Sequence, residues 1–166
     1  MSVTLRGMTE ADWPSVAAIY LEGIMSGRST FQTEIPGYAE WDRLHLPCCR
    51  LVAVEGEEVV GWSAFSPTSP RWCYRGVVEI SYYVARAHWG RGIGHALLEE
   101  AIRRSEEAGI WTIQAVVLEE NYTSIAALLG AGFRMVGYRE APARDLSGVW
   151  RNTTLFERRS HRVGVD

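Results

Sequence analysis

The 166-residue sequence has little from which to build a covalent or metallic scaffold. It holds three cysteines, Cys48, Cys49 and Cys73, two of them adjacent. An odd count with a neighbouring pair supplies no disulfide framework, so the chain reads as a reduced, cytoplasmic protein. The four histidines are scattered and stand at no metal-ligand spacing with the cysteines, so no metal is expected. No apolar stretch approaches the roughly 18 residues needed to cross a bilayer, and the N-terminus lacks the apolar run of a secretory leader. No membrane association is therefore expected. The chain has no internal repeat and no low-complexity linker. Charge of one sign is also lacking: 17 basic against 20 acidic residues leave a net charge of −3, with no electrostatic reason to expect a nucleic-acid partner.

What the chain does have is core material. Hydrophobic residues make up 47% and charged residues 22%, and the length suits one domain. Thr4 to Arg6 reads as the end of a strand. Thr9, with Asp12 three positions on, forms a variant capping box before a helix whose apolar side is Trp13, Val16, Ala17, Ile19 and Tyr20. Residues 23–36 are irregular, and Tyr38 to Leu46 is a second short helix stopped by Pro47. Leu51 to Val54 and Val59 to Phe65 form a hairpin around Gly56. After a loop over residues 66–76 come a strand (Val77 to Val84), a helix (Gly92 to Ala108) ended by Gly109, and a strand (Trp111 to Leu118). Asn121 caps a helix reaching about Ala131. Phe133 to Tyr138 and Val149 to Phe156 are the last strands. This order implies an α/β (α+β) single domain over residues 1–158. Its mixed, mostly antiparallel sheet has about seven strands and helices on both faces. Residues 159–166 are expected to be a flexible tail.

The most informative stretch is Trp89-Gly90-Arg91-Gly92-Ile93-Gly94-His95-Ala96-Leu97-Leu98. A β-rich run leads into it and an amphipathic helix follows. A strand, glycine-rich turn and helix N-terminus gather several backbone N–H groups at one point and add roughly half a positive charge there. Such a turn suits a pyrophosphate; alone it is equally an ordinary strand-to-helix connection.

Val84 to Leu98, the segment Asn121-Tyr122-Thr123-Ser124-Ile125 with Gly132-Phe133, and the strand Val59 to Phe65 together resemble the GNAT superfamily of acetyl-CoA-dependent N-acetyltransferases. The likeness spans Thr4 to about Phe156. Three further segments resemble its phosphinothricin and methionine-sulfone acetyltransferase group: Ser29-Thr30-Phe31, Tyr74 to Val84, and Val149-Trp150-Arg151-Asn152. Three positions depart from the pattern. Trp89 stands where the superfamily usually has Gln or Arg. Leu128 replaces the Tyr or His of many relatives and cannot donate a proton to the leaving thiolate. Asn152 replaces an aspartate usual in the group.

The resemblance implies acetyl-CoA as co-substrate and a homodimer. It assigns Gly90, Arg91, Gly92, Ile93, Gly94 and His95 to the pyrophosphate. Tyr82, Tyr83 and Val84 would lie along the pantetheine arm, and Asn121 and Ser124 would contact it. Glu79 interrupts an apolar strand, where a carboxylate is costly unless exposed or paired. Partial burial would raise its pKa toward that of a useful base, acting through water. A glutamate on the polar face of a half-exposed strand is the plain alternative. Arg75, with Trp72, Cys73 and Tyr74 beside it, suits an acceptor carboxylate or phosphinate. Phe31 would wall the acceptor and Trp150 would join it, although both read equally well as core anchors.

The expected reaction is direct acetyl transfer to a small amino acid of the phosphinothricin, methionine sulfone or sulfoximine type. The alternatives are a protein N-terminus or lysine, an aminoglycoside, a covalent route through Cys73, and a non-catalytic acyl-CoA-binding module.

Overall fold

The computed structural model describes residues 2–166. Seven strands form one sheet in the order β1-β2-β3-β4-β5-β7-β6. They are β1 (Val3–Gly7), β2 (Leu51–Glu55), β3 (Glu58–Pro67), β4 (Val77–Val84), β5 (Thr112–Leu118), β6 (Arg134–Arg144) and β7 (Trp150–Arg159). Four helices flank it: α1 (Trp13–Met25), α2 (Tyr38–Leu44), α3 (Ile93–Glu107) and α4 (Tyr122–Gly130). The first four strands are an antiparallel meander. β4 and β5 are parallel because α3 carries the chain back between them, and the last two pairings are antiparallel again.

Each face of the sheet has its own core. Strand alternation sends Val78 and Ile80 of β4, Ile113, Ala115 and Val117 of β5, and Phe156 of β7 toward α3 and α4. On α3 the matching residues are Ile93, Leu97, Leu98 and Ala101, all buried and spaced as one helical face. Its outer face carries an ion-pair ladder in which Glu100 takes both Arg103 (2.7 Å) and Arg104 (2.7 Å). The opposite core joins α1 and α2 to β2 and β3 through Val16, Ile19, Trp41, Val52, Trp62 and Ala64. An aromatic chain crosses it, with Trp62 stacked on Tyr83 of β4 at 5.1 Å and Tyr20 of α1 at 5.1 Å from the same ring. This layer covers the first half of the sheet. On the same face of β5, Val116 is exposed.

The N-terminal cap forms as the sequence implies, but over a short 3-10 turn (Glu10–Asp12) that precedes α1. The Thr9 amide donates to Asp12 Oδ2 at 2.8 Å, and Arg6 donates to both oxygens of that carboxylate at 2.8 Å. The last two strands run further than the sequence suggests. β6 continues through Pro142 because a bulge there leaves the ladder unpaired, and Asn152 Oδ1 accepts the Ala141 amide at 2.9 Å. Two residues at the start of the expected tail make contacts with the body of the domain. Ser160 is buried and donates to Glu106 at 2.9 Å, and Arg159 donates to the carbonyls of Trp111, Val163 and Gly164. The contacts with Glu106 and Trp111 join residues far apart in sequence, and hydrophobic patterning carries no sign of them.

Candidate active site

The site begins where the sheet fails to close. β4 and β5 pair over three positions only: Val77 with Thr112, Val78 with Ile113, and Glu79 with Gln114. Beyond Glu79 the two strands part. β5 continues as a partner of β7 to Leu118, while β4 continues to Val84 supported by β3 alone. A wedge therefore opens between Ile80–Val84 and the upper half of β5. Its apex is Glu79, and its mouth lies at the C-terminal end of β4.

The glycine turn stands at that mouth. Gly90 (φ 75°) and Gly92 (φ 76°) both adopt left-handed backbone that a residue with a Cβ resists. Gly92 is the N-cap of α3 and, lacking a side chain, leaves the first amides of the helix uncapped. The Ala96 amide is the first to be used within the helix, donating to Gly92 O at 3.0 Å. The earlier N–H groups, from Ile93 to His95, are free for an anion. A Cβ on Gly94 would meet Tyr82 at 3.6 Å and Val84 at 3.7 Å, which places the turn directly above β4.

Two side chains fix the turn. Arg91 donates both terminal nitrogens to Glu55 of β2, at 2.6 and 3.0 Å, and His88 Nε2 lies 3.2 Å from the same carboxylate. Arg91 holds the Glu55 carboxyl at about 2, well below its usual range. Trp89, at the position where the superfamily usually has Gln or Arg, donates its indole N–H to Val84 O at 2.8 Å and so pins the turn to the strand before it. Sequence reasoning misses Glu55, since its partner lies 36 residues away.

α4 forms the other flank of the wedge. Asn121 accepts the Ser124 amide at 3.3 Å as the N-cap, and the Ser124 hydroxyl meets Tyr82 Oη at 2.5 Å. Burial raises the Tyr82 phenol above its ordinary value, and the bond to Ser124 opposes this. Leu128 is fully buried in the core, so its side chain serves packing.

Glu79, Ser81 and Tyr83 point to the opposite face, toward the α1 layer, because their β3 partners there are Ser66, Ala64 and Trp62. Glu79 is half-buried, and desolvation raises its carboxyl above the ordinary value while the positive charge of Arg139 pulls it down. Burial also pushes the Tyr83 phenol up, and the Thr30 hydroxyl lies beside both Tyr83 and Tyr20. Phe31 follows Thr30 in the irregular segment that borders this face. Met25 to Arg28, from the end of α1, and Asp145 to Ser147, from the β6–β7 turn, line a common cavity across the uncovered half of the sheet.

The remaining expected residues lie apart from this carboxylate. Trp72, Cys73 and Tyr74 form an exposed 3-10 turn ahead of β4. The Arg75 guanidinium stacks on Trp72 at 4.5 Å and on Trp111 at 5.2 Å, and donates to Trp72 O at 3.3 Å. Gly76 lies flat against Trp111, where an added Cβ would come within 2.2 Å of the indole. Trp150 is exposed at the start of β7, with the Arg144 guanidinium 4.7 Å above its ring. The structure thus brings Tyr82, Val84, Gly94, Asn121 and Ser124 around the wedge and sets Glu79, Tyr83 and Thr30 beneath it. Trp72 to Arg75 occupy the far end of β4, and Trp150 the hairpin.

A cleft with an anion-binding turn at its mouth, spare strand backbone along its wall and a desolvated carboxylate at its apex suits an elongated, phosphate-bearing ligand whose reactive end lies near Glu79. The acetyltransferase (GNAT) family model matches residues 13–133, a span that contains all of these elements. Over 165 residues the chain is 28% identical to a phosphinothricin N-acetyltransferase of Alcaligenes faecalis, covering 93% of this chain and 81% of that protein. It is 26% identical over 163 residues to an L-methionine sulfoximine/L-methionine sulfone acetyltransferase of Pseudomonas aeruginosa, covering 95% and 94% of the two chains. A phosphinothricin acetyltransferase from Sinorhizobium meliloti, solved in complex with acetyl-CoA, superposes with a TM-score of 0.88 at 29% identity, covering 99% of this chain and 91% of that one. With that wedge, that turn and this agreement over most of its length, the chain belongs to the GNAT family of acetyltransferases.

Proposed function

We propose that the protein transfers acetyl from acetyl-CoA directly to the amine of a small amino-acid-like acceptor of the phosphinothricin, methionine sulfone or sulfoximine type. One observation carries this reading: the last residue of β4 paired to β5 is a carboxylate, at the apex of the opening. The named relatives act on acceptors of this kind, and the neighbour from Sinorhizobium meliloti was solved with acetyl-CoA.

The pyrophosphate lies on the amides of Gly90 to His95. The pantetheine arm runs down the wedge against the backbone of Tyr82, Tyr83 and Val84, between the turn and the Asn121–Ser124 cap, in the manner of an added strand. The thioester then ends near Glu79. Glu79, directly or through a water, takes a proton from the acceptor ammonium, and the free amine attacks the thioester carbon. The carbonyl oxygen gathers charge against a β4 backbone N–H, the attacking nitrogen gives up its second proton to water, and collapse breaks the C–S bond. CoA leaves as a thiolate, which needs no protein donor because a thiol pKa near ~8.5 makes it an adequate leaving group. Leu128 is consistent with that route. Phe31 borders the acceptor, while the Trp72–Arg75 turn and Trp150 lie farther off, at the far end of β4 and on the hairpin. Cys73 takes no covalent part. The protein works in the cytoplasm as a homodimer, and exposed Met135 and Tyr138 on edge strand β6 support a self-associating face.

The test is release of free CoA thiol over a panel of amines, with mass analysis of the protein after exposure to acetyl-CoA alone. Turnover with phosphinothricin or methionine sulfone and an unmodified Cys73 is expected. No turnover with any amine overturns the reading, as does an acetylated Cys73 whose loss abolishes activity.

A further inference from the structure

The strand register places one cation on the same face of the sheet as the base. Cross-strand partners share a face, so the chain of pairings Glu79–Gln114, Gln114–Glu157 and Glu157–Arg134 defines the face on which Glu79 lies. Leu118, Thr153 and Arg139 lie on that same face further along β5, β7 and β6. No helix covers this part of the sheet; the α1 and α2 core stops at β2 and β3 with the side chains that back β4. The cavity between Met25–Arg28 and Asp145–Ser147 opens beside it.

The cations of the β6–β7 hairpin differ in what they hold. Arg134 pairs with Glu157 at 2.5 Å, Arg151 with Asp145 at 2.7 Å and Glu120 at 3.1 Å, and Arg144 lies over Trp150. Among the described residues Arg139 has no such partner, yet it is near enough to act on the charge of Glu79. Its cross-strand partner Thr153 is buried, and the Thr153 hydroxyl has no hydrogen-bond partner. An unpaired guanidinium therefore shares a face with the base. Arg75, the cation expected from sequence, is held between two indoles beyond the other end of β4.

We propose that Arg139 binds the acceptor's carboxylate and thereby sets both the acceptor class and the direction in which the amine points. An amino acid brings a cation and an anion to this face together. Its amine is drawn to Glu79, and its carboxylate is repelled by Glu79 and drawn to the guanidinium. That polarity orients the nucleophile toward the thioester. The inference rests on the amino-acid reading of the acceptor proposed above.

The experiment compares each acceptor with its decarboxylated counterpart, for example methionine sulfone with 3-(methylsulfonyl)propylamine. Wild type, Arg139→Ala, Arg139→Lys and Arg75→Ala are assayed, with acetyl-CoA KM measured alongside. Arg139→Ala is expected to raise KM for the amino acid about 10- to 100-fold. KM for acetyl-CoA serves as the control, and the decarboxylated amine, which has no carboxylate to lose, is affected far less than the amino acid, so the preference for a carboxylate disappears. Arg139→Lys keeps the charge without the fork and retains part of the preference. If Arg139→Ala is poorly folded, the same ratio in Arg139→Gln decides. A preference that survives in the Arg139 variants, or that falls in Arg75→Ala instead, overturns the assignment while leaving the amino-acid acceptor standing. A wild-type enzyme that shows no preference for the carboxylate overturns the acceptor class and the role of Arg139 together.

Discussion

The phenol of Tyr82 on β4 and the hydroxyl of Ser124 on α4 meet at 2.5 Å across the wedge, 42 residues apart in sequence. This bond bridges two flanks that share no backbone pairing, so it both braces the opening and lies in the path of a ligand that fills it. Tyr82→Phe and Ser124→Ala are expected to show a coupling of about 0.5–1.5 kcal/mol in a double-mutant cycle on the ligand-free protein. With saturating acetyl-CoA the coupling should shrink, because the ligand takes over the bridge. Denaturant melts with and without acetyl-CoA measure both values. A coupling that persists unchanged with ligand bound would mean that the arm takes another path.

The turn glycines should separate into two kinds. Gly92 has φ 76°, so Gly92→Ala is expected to cost about 1–2 kcal/mol of stability as well as cofactor affinity. Gly94 is helical with room for a Cβ, its nearest neighbour standing at 3.6 Å. Gly94→Val should therefore fold with little loss yet bind acetyl-CoA more weakly, because its side chain crowds the turn amides. Calorimetric titration beside thermal melts checks this. A folded Gly94→Val enzyme with full affinity would remove the phosphate from this turn.

Burial raises the Glu79 carboxyl, and the positive charge of Arg139 opposes the rise. A base acts in its deprotonated form, so kcat/KM should rise with pH through an apparent pKa above the ordinary carboxylate range. Glu79→Gln keeps the shape and removes that limb. Its kcat at pH 7 is expected to fall by about 10²- to 10⁴-fold, with partial recovery at high pH where solvent supplies free amine. A Gln variant with an unaltered pH–rate profile would show the carboxylate to be structural. In Arg139→Ala the limb should move to higher pH, since the cation that favours the charged form is gone.

Asn152 explains its own departure from aspartate. Its carbonyl accepts the Ala141 amide at 2.9 Å, where the backbone turns to φ 44°, and its NH₂ donates to Glu119 at 2.8 Å. An aspartate would keep the first bond, lose the second and set two carboxylates together. Asn152→Asp is therefore expected to destabilise by about 1–3 kcal/mol at neutral pH. The repulsion raises the pKa of the pair in the folded state, so the loss is least in acid and grows as pH rises through that value. Melting temperatures across this range test the sign, and adding Glu119→Gln to the Asn152→Asp variant should restore stability.

The fold was legible in the sequence wherever periodicity and turn chemistry were local. The Asn121 cap, the Gly56 hairpin, and the glycine-rich turn with the amphipathic helix after it all announce themselves within a few residues. The site was legible in part. Glu79 stood out as a charge in an apolar strand, and the turn as a glycine cluster. The hidden part depends on register between distant strands. That Glu55 seizes Arg91, that Arg139 shares a face with Glu79, and that Arg75 settles between Trp72 and Trp111 follow from which strand lies beside which. Nothing in residues 134–144 taken alone marks Arg139 among its neighbouring arginines. The contacts of Arg159 and Ser160 are hidden for the same reason, since the Trp111 carbonyl and the Glu106 carboxylate that they meet come from other segments.

The short β4–β5 pairing has a consequence for the end of the catalytic cycle. If the pantetheine arm supplies the rungs that β5 withholds, spent CoA supplies them equally, since it differs from the substrate by an acetyl group alone. The free energy that captures the donor is then almost wholly retained by the product. CoA should compete with acetyl-CoA at an affinity within about tenfold, and amide exchange in Ile80–Val84 should slow alike with either bound. An enzyme built on an unfinished sheet is thus tuned to the ratio of charged to spent carrier around it, and its output follows that ratio rather than the level of acetyl-CoA alone.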